Sequence, residues 1–212
     1  MLSRYFNKRN AEVNINIDSI YQGHHKVTYR GVKAIRCPFD YVIYQMILSE
    51  VQPDLVIEIG TNMGGGALYI ADLMENIGNG MIHSIDITSM ASPLVKQHSR
   101  IKLFTQGWEN YDLKEAEGFE KILLIEDGSH LYEDTLGALN KFGSLVSKNS
   151  YLIVEDGIIN KLGLEKEYQG GPLKAIKEFT KTNKNFSVDR QWCDLFGTNA
   201  TFNVDGYLKR IY

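Results

Sequence analysis

The sequence predicts an α/β protein with one doubly wound, mostly parallel β-sheet. Short, near-continuous apolar segments alternate with segments of helical character along residues 39–212. Such apolar strands are typical of a parallel sheet that helices cover on both faces. The chain has 212 residues, which is enough for one domain with a substantial core. We therefore expect one α/β domain over residues 39–212, preceded by an N-terminal arm over residues 1–38.

Composition and charge argue against several classes of protein. The formal net charge of −3 gives no overall attraction to nucleic acid or to an anionic membrane. No apolar run approaches the roughly 18 residues of a membrane-spanning helix, and the N-terminus lacks the apolar segment of a secretion signal. Cys37 and Cys193 match no CxxC pattern, which suits a reducing compartment. These features predict a soluble, cytoplasmic protein with no nucleic-acid partner and no membrane span.

The arm contains too few apolar residues for a core of its own. Within it, the alternating pattern of Asn14–Asp18 predicts a short strand. Asp40 is predicted to cap a helix over Tyr41–Glu50, and Pro53 is predicted to end that helix.

Strands and helices then alternate along the rest of the chain. The predicted parallel strands are residues 55–60, 81–87, 101–107, 121–127 and 151–156. The predicted helices between and after them are residues 65–76, 132–147 and 172–181. Residues 186–193 and 200–211 predict two strands with no helix between them, which would form a C-terminal antiparallel hairpin.

The turn after the first of these strands is rich in glycine. It has the spacing Glu58-x-Gly60-x-x-x-Gly64-Gly-Gly, which is neither a dinucleotide fingerprint nor a P-loop. Glycines allow positive φ angles and let a ligand approach the backbone, and the following helix offers unpaired N–H groups. The turn therefore favours a ligand with a ribose and a cationic centre, whose ribose hydroxyls Asp86 would bind. A tight turn that serves packing alone is the alternative.

Acidic residues also collect at the ends of two later strands. Asp127 ends one apolar strand, and Glu155 and Asp156 end the next. Because ligands of open α/β sheets bind beyond the carboxyl ends of the strands, these residues predict an all-oxygen site. Such a site favours Mg²⁺, with Ca²⁺ or Mn²⁺ as alternatives.

Two further residues lie near the same edge of the predicted sheet. His130 follows Asp127 by three residues and is either structural or a general base, since its ordinary pKa of about 6.5 lies near working pH. Trp108 follows the third strand and either stacks on an adenine or packs in the core.

His83 is predicted to be a core residue. His24 and His25 either line a substrate site or are solvated.

Several segments together resemble the cephalosporin hydroxylase family, which includes O-methyltransferases that act on rhamnosyl groups and on macrolide sugars. The segments are VIEIGTNMGGGAL, IHSIDI, LIEDGSH, YLIVEDG, GGPLKAIKEF and FNVDGYLKR. The resemblance spans about residue 29 to the C-terminus. It implies the Rossmann-like fold of class I S-adenosylmethionine-dependent methyltransferases.

The resemblance also implies roles for individual residues. His130 would be the catalytic base, and the Mg²⁺ ligands would be Asp127, Glu155 and Asp156. The resemblance makes Glu58, Gly60 and Asp86 part of the S-adenosylmethionine site. We further expect Thr61, Gly64, Trp108 and Asp127 to bind this cofactor.

These observations predict an S-adenosylmethionine- and Mg²⁺-dependent O-methyltransferase that acts on a hydroxyl of a sugar or glycoside. The expected partner is a small-molecule or carbohydrate substrate, and a homo-oligomer is possible. One alternative is a hydroxylase-associated component of the cephalosporin hydroxylase type. An iron site of that chemistry would need two histidines and one carboxylate, whereas the predicted site has one histidine and three acids. The other alternative is a non-catalytic binding module.

Overall fold

A computed structural model describes residues 13–88 and 90–212. The strands are β1 (Thr28–Tyr29), β2 (Val32–Lys33), β3 (Leu55–Ile59), β4 (Met81–Ile85), β5 (Ile101–Phe104), β6 (Ile122–Glu126), β7 (Tyr151–Val154), β8 (Phe186–Val188) and β9 (Tyr207–Arg210). The α-helices are α1 (Ile17–His24), α2 (Pro38–Val51), α3 (Gly65–Ile77), α4 (Pro93–Lys96), α5 (Tyr132–Phe142), α6 (Gly171–Thr182) and α7 (Arg190–Cys193). Short 3₁₀ helices cover Trp108–Asn110, Leu113–Ala116 and Gly157–Asn160.

The central sheet has seven strands in the order β5-β4-β3-β6-β7-β9-β8. Strands β3 to β7 pair in parallel, whereas β9 is antiparallel to both β7 and β8. The predicted mostly parallel α/β sheet with an antiparallel C-terminal pair is therefore confirmed. The chain builds outward from β3 in one direction and then from β6 in the other. The boundary between β3 and β6 is thus the topological switch point, where ligands of such sheets bind.

The core consists of two apolar layers, one on each face of the sheet. All five residues of β3 are buried, and successive side chains point to opposite faces. Leu55 and Ile57 pack in one layer with Phe142 and other residues of α5 and α6. Val56 packs in the other layer, with residues of α2 and α3 such as Ile47. Helices on both faces explain why the strands are apolar throughout.

Two predictions about the N-terminal region are wrong. Residues 17–18 belong to α1 rather than to a strand, because the side chain of Asn16 accepts a hydrogen bond from Ser19 N at 2.9 Å and caps the helix. Helix α2 begins at Pro38, so Asp40 lies in its first turn and does not cap it. The Asp40 carboxylate is instead fully buried and accepts a hydrogen bond from Phe202 N at 3.1 Å.

The arm is not separate from the core in the part that the structure describes. Val32 and Ala34 are buried among the apolar residues of the domain, and Arg36 is only 4% exposed. Residues 1–12 of the predicted arm lie outside the described residues. The division at residue 38 remains a prediction.

The C-terminal pair is shorter than predicted and contains a helix between its strands. Asp189 accepts a hydrogen bond from Gln191 N at 3.0 Å and so caps α7, which the sequence pattern did not predict. Helix α5 also ends at Phe142 rather than at Ser147.

Cys37 and Cys193 are buried and free. Within residues 13–88 and 90–212, every helix is too short or too polar to cross a membrane.

Strands β3 and β6 approach each other closely just after their carboxyl ends. Gly60 has a φ of +98°, which favours glycine, and its N–H donates to Ile85 O at 2.8 Å. A Cβ atom on Gly60 would lie 1.9 Å from the backbone oxygen of Asp127. The absence of a side chain at residue 60 is therefore required for the two strand ends to lie side by side.

We expect Gly60→Ala to destabilise the fold by at least about 2 kcal/mol more than Gly78→Ala. Gly78 has a similar φ of +85°, but a Cβ atom there would meet nothing within 4 Å. Gly78→Ala should therefore lose only the stability that corresponds to backbone strain, about 1 kcal/mol, whereas Gly60→Ala adds a steric clash. Urea unfolding of the two variants measures the difference. Equal losses would show that the close approach does not constrain residue 60.

The buried residue His83 predicts a loss of stability in acid. Its Nδ1 lies 2.8 Å from the hydroxyl of Tyr111, and burial lowers the pKa of His83 from 6.5 to about 4. The unfolded chain therefore takes up this proton first, so stability is lost as pH falls from about 6.5 towards 4.

We expect His83→Gln to flatten this dependence by on the order of 1 kcal/mol between about pH 7 and pH 5. Glutamine can still accept the Tyr111 hydrogen bond but does not become charged. The measurement is the free energy of unfolding against pH, and His25→Gln, at an exposed position, serves as the matched control. An unchanged slope in His83→Gln would contradict the assignment.

Candidate active site

A cavity of about 410 Å³ opens at the carboxyl ends of β3, β4 and β6. Its walls include seven of the residues predicted from the sequence, namely Glu58, Gly60, Asp86, Trp108, Asp127, His130 and Asp156. The switch point of the sheet therefore brings the glycine-rich turn and the acidic strand ends into one space.

Asp86 fixes the turn that follows β3. One of its carboxylate oxygens accepts hydrogen bonds from the backbone N–H groups of Thr61 and Asn62, at 2.9 and 2.8 Å. The other accepts from the N–H groups of Ile87 and Thr88. The carboxylate thus ties the loop after β3 to the loop after β4 at the edge of the cavity.

Glu58 is buried inside β3 and belongs to a polar chain beneath the turn. Its Oε2 accepts a hydrogen bond from Ser84 at 2.6 Å, and Ser84 Oγ lies 2.7 Å from the hydroxyl of Thr61. Burial raises the pKa of Glu58 to about 7. The Thr61 side chain therefore points below the loop rather than into the cavity.

Gly64 is also placed away from the cavity. It precedes α3 with a φ of +84°, and a Cβ atom on it would meet the side chain of Val95. In place of Thr61 and Gly64, the cavity wall contains Asn62 and Gly66. Thr61 and Gly64 would therefore contribute to cofactor binding through the conformation of the turn.

Trp108 packs against the domain and also lines the cavity. It begins a 3₁₀ helix after Gly107 and contributes to the wall of the cavity. Its ring also packs on α5, where a Cβ atom on Gly137 would lie 2.7 Å from the indole. Packing therefore fixes the ring while one part of it faces the cavity.

Asp127, His130 and Asp156 form a cluster at the floor of the cavity. Their nearest ligand atoms all lie within 4.8 Å of one another. His130 Nε2 is 3.3 Å from Asp156 Oδ2 and 3.9 Å from Asp127 Oδ1. Both His130 and Asp156 have positive φ angles, of 60° and 56°, which are uncommon for residues other than glycine. Such backbone conformations occur often at functional sites.

The cluster is electrostatically crowded. Burial and the charge of Glu155 raise the pKa of Asp127 well above its usual range. Burial likewise raises the pKa of Asp156, although the nearby His130 opposes this effect. A bound cation would offset the repulsion between these carboxylates.

The structure does not group Glu155 with the other predicted metal ligands. Its carboxylate is buried and accepts hydrogen bonds from Arg36, at 3.2 Å from Nε, and from the hydroxyl of Tyr44 at 2.7 Å. The physical reason is that a buried carboxylate requires a partner, and Arg36 supplies the opposite charge. The predicted role of Glu155 as a ligand would require its carboxylate to reorient or to share this pairing.

Arg36 is the main residue of the site that the sequence analysis missed. Its Nη2 pairs with Glu155 and lies 3.7 Å from Asp127 Oδ2, and its guanidinium lies 4.4 Å from the ring centroid of Tyr44. The one signal for it is an isolated arginine inside the apolar segment Ala34-Ile-Arg-Cys37.

Tyr168 lies near His130, and Phe202 lies near His24 of α1. The ring of Tyr168 lies 6.1 Å from that of His130. His24 of α1 is buried with its ring 5.1 Å from Phe202, whereas His25 is exposed. Of the two histidines predicted either to line a substrate site or to be solvated, only His24 is buried.

The chemistry of the donor set fits a hard divalent cation. Asp127 and Asp156 supply carboxylate oxygens that face the cavity, whereas Arg36 and Tyr44 hold the carboxylate of Glu155. Oxygen ligands of this kind are those that Mg²⁺ prefers.

The Nδ1 atom of His130 is buried and has no hydrogen-bond partner among the described residues.

Comparisons with known proteins agree on one family. A family model described as rhamnosyl O-methyltransferase/CmcI matches residues 21–211. A rhamnosyl O-methyltransferase of Mycobacterium tuberculosis (strain ATCC 25618 / H37Rv) is 32% identical over 196 residues, covering 87% of this chain and 78% of that protein.

Two solved structures of cmcI have the same fold. The structure with SAH has a TM-score of 0.71 at 20% identity, and the match covers 100% of this chain and 92% of that one. The structure with Mg-SAM has a TM-score of 0.67 at 23% identity, with coverage of 100% and 85%. These likenesses establish the fold, while the family model and the mycobacterial relative confirm the resemblance predicted from the motifs. The chain belongs to the rhamnosyl O-methyltransferase/CmcI family.

Proposed function

We propose that this chain transfers the methyl group of S-adenosylmethionine to a hydroxyl of a sugar or glycoside in the presence of Mg²⁺. Membership of the family makes it an O-methyltransferase. The observation that carries the proposal is the Asp127–His130–Asp156 cluster, which opens into the same cavity as Glu58 and Asp86. A methyl donor and its acceptor would thus meet within one enclosed space.

The donor would lie along the loops that follow β3, β4 and β5. Asp86 would bind the ribose hydroxyls in exchange for some of the four backbone N–H groups from which it now accepts hydrogen bonds. Trp108 would contact the adenine with the part of its ring that faces the cavity. Glu58 would provide negative charge near the cationic end of the donor. Gly60 would let the donor approach the backbone, since it has no side chain.

Mg²⁺ would be held by Asp127 and Asp156, with Glu155 as a third ligand if it releases part of its pairing with Arg36. When bound to neighbouring hydroxyl oxygens of the acceptor, the ion would lower the pKa of one of them. The aspartates would in addition orient those hydroxyls towards the donor side of the cavity.

His130 would remove the proton of the reacting hydroxyl. Its imidazole lies against Asp156, whose carboxylate would stabilise the imidazolium that results. The principal contribution of the protein would be to hold the hydroxyl oxygen about 3 Å from the donor methyl group.

The relatives' name supports a sugar hydroxyl as the acceptor, and the proposed metal chemistry would suit an acceptor with two neighbouring hydroxyls. Polysaccharide, nucleotide-sugar, antibiotic glycoside and phenolic diol are the acceptor classes to compare. The buried free cysteines are consistent with action in the cytoplasm.

We expect His130→Gln and Asp127→Asn to lower methyl transfer by at least about 100-fold at saturating Mg²⁺. His130→Gln should bind SAH within about threefold of the wild type, because His130 is not among the residues expected to bind the donor. His98→Gln and Asp112→Asn are matched controls, since both positions lie outside the cavity wall. Radiolabelled methyl transfer and calorimetry with SAH provide the two measurements. Full activity of His130→Gln would rule out its role as base.

Mg²⁺ is expected to raise the melting temperature of the wild-type protein but not that of Asp127→Asn. An ion that binds only the folded state stabilises it by mass action, and removal of one carboxylate weakens the site. Without Mg²⁺, Asp127→Asn should be at least as stable as the wild type, because it relieves repulsion between acids. Thermal unfolding with Mg²⁺ and with a chelator tests this expectation. If neither Mg²⁺ nor SAH bound the wild type, a non-catalytic binding module would be the better assignment.

A further inference from the structure

The turn that contains Trp108 is too short to be stable by itself. It is a 3₁₀ helix of 3 residues, Trp108–Asn110, and it follows Gly107, which has a φ of +80°. The N–H of Tyr111 donates back to Trp108 O at 3.3 Å. A helix of one turn forms too few internal hydrogen bonds to offset the entropy of ordering its residues. The conformation of this turn therefore depends on contacts with the rest of the domain.

Lys141 of α5 makes three such contacts with one atom. Its Nζ donates hydrogen bonds to the backbone oxygens of Trp108 at 3.0 Å, Glu109 at 2.7 Å and Tyr111 at 2.8 Å. An ammonium group has three donors, so the turn uses all of them. Hydrogen bonds from a charged donor are also stronger than those between neutral groups. Lys141 therefore serves this turn and has no donor left for a ligand.

The same face of α5 contacts the indole ring of Trp108. Gly137 precedes Lys141 by four residues, so the two positions are neighbours on the helix surface. A Cβ atom on Gly137 would lie 2.7 Å from Cη2 of the indole and 3.3 Å from its Cζ2. The ring thus packs against the helix where a side chain is missing. One helix holds both the backbone and the side chain of Trp108.

Helix α5 also follows the acidic cluster directly. It begins at Tyr132, two residues after His130. His130 and Trp108 both contribute to the wall of the cavity. The start of α5 is therefore close to the proposed base, and the later part of the same helix holds Trp108. A displacement of Trp108 on α5 would change the position of a bound base relative to His130.

We propose that Lys141 and Gly137 are positioning residues for the methyl donor, which hold the indole of Trp108 in the orientation on which a purine base stacks. The inference rests on the proposed function, in which Trp108 contacts the adenine. Both residues lie outside the cavity wall, so they would act on the donor through Trp108 alone. A ring that is already held in place loses less conformational entropy when a ligand binds, and the ligand binds more tightly.

Lys141→Met is the first test, because methionine keeps an unbranched apolar side chain and removes the ammonium group. Its affinity for SAH should fall by about tenfold, since the turn and the stacked ring are no longer fixed. Calorimetry with SAH provides the measurement. Lys177→Met, at an exposed position of α6, is the matched control and should leave the affinity within about threefold.

A double-mutant cycle with Trp108→Ala separates positioning from a general loss of stability. Trp108→Ala should itself weaken SAH by about tenfold or more, because the stacking surface is lost. If Lys141 acts through the indole, Lys141→Met should cost less than about threefold further in the Trp108→Ala protein. A lysine that stabilises only the fold would weaken SAH by the same factor in both backgrounds.

Tryptophan fluorescence measures the freedom of the ring directly. The chain has two tryptophans, Trp108 and Trp192, so Trp192→Phe leaves Trp108 as the one fluorescent indole. In that background Lys141→Met should increase the quenching of Trp108 by acrylamide and lower its fluorescence anisotropy. Lys177→Met should change neither quantity.

Gly137→Ala keeps the test decisive if Lys141→Met fails to fold. Alanine favours the helix, so the variant should fold, yet its methyl group would displace the indole. It should weaken SAH by about tenfold. The rise in melting temperature with Mg²⁺ should stay as in the wild type, because residue 137 is not part of the acidic cluster.

Two results would overturn the inference and leave the proposed function intact. One is Lys141→Met or Gly137→Ala with unchanged affinity for SAH, while Trp108→Ala binds SAH weakly. The other is an equal effect of Lys141→Met with and without Trp108. A Trp108→Ala protein that bound SAH as the wild type does would contradict the adenine contact and the inference together. If the wild type did not bind SAH, the proposed function itself would fail.

Discussion

The close contact between the ends of β3 and β6 is the constraint on which the site depends. Gly60 lies directly against the backbone of Asp127, so the glycine-rich turn and the acidic cluster share one cavity. A parallel sheet that reverses its building direction between these strands leaves a crevice at that point. The topology creates the space, and the residues that follow each strand determine what it can bind.

The crevice contains more acidic than basic side chains. The buried guanidinium of Arg36 is near three acids. It is paired with Glu155 and lies 3.7 Å from Asp127, and a Cβ atom on Gly66 would contact both Arg36 and Glu58. Buried carboxylates without enough positive charge are unstable as anions, and their pKa values rise accordingly. A divalent cation and a cationic methyl donor would each add the charge that the protein lacks. The site is therefore suited to binding both together.

The sequence predicted the sheet and most of the residues that line the cavity, because carboxyl ends of parallel strands converge on one edge. It did not predict Arg36, which is 119 positions from Glu155 and lies in a segment with no regular period. It also could not tell that the side chain of Thr61 points beneath the turn. Capping by Asn16 produced a helix where alternation suggested a strand. The positions of Arg36 and Thr61 depend on contacts between distant parts of the chain, whereas the Asn16 cap is a local contact with Ser19.

Adjacent residues at a strand end show why a motif alone does not define a metal site. Glu155 continues the direction of β7 and its carboxylate is buried against Arg36, whereas Asp156 adopts a left-handed conformation and faces His130. The two acids are neighbours in sequence but belong to different electrostatic environments. Glu155 can contribute to a metal site only as far as Arg36 releases it. Since Arg36 also lies 3.7 Å from Asp127, one side chain pairs with two of the three predicted metal ligands.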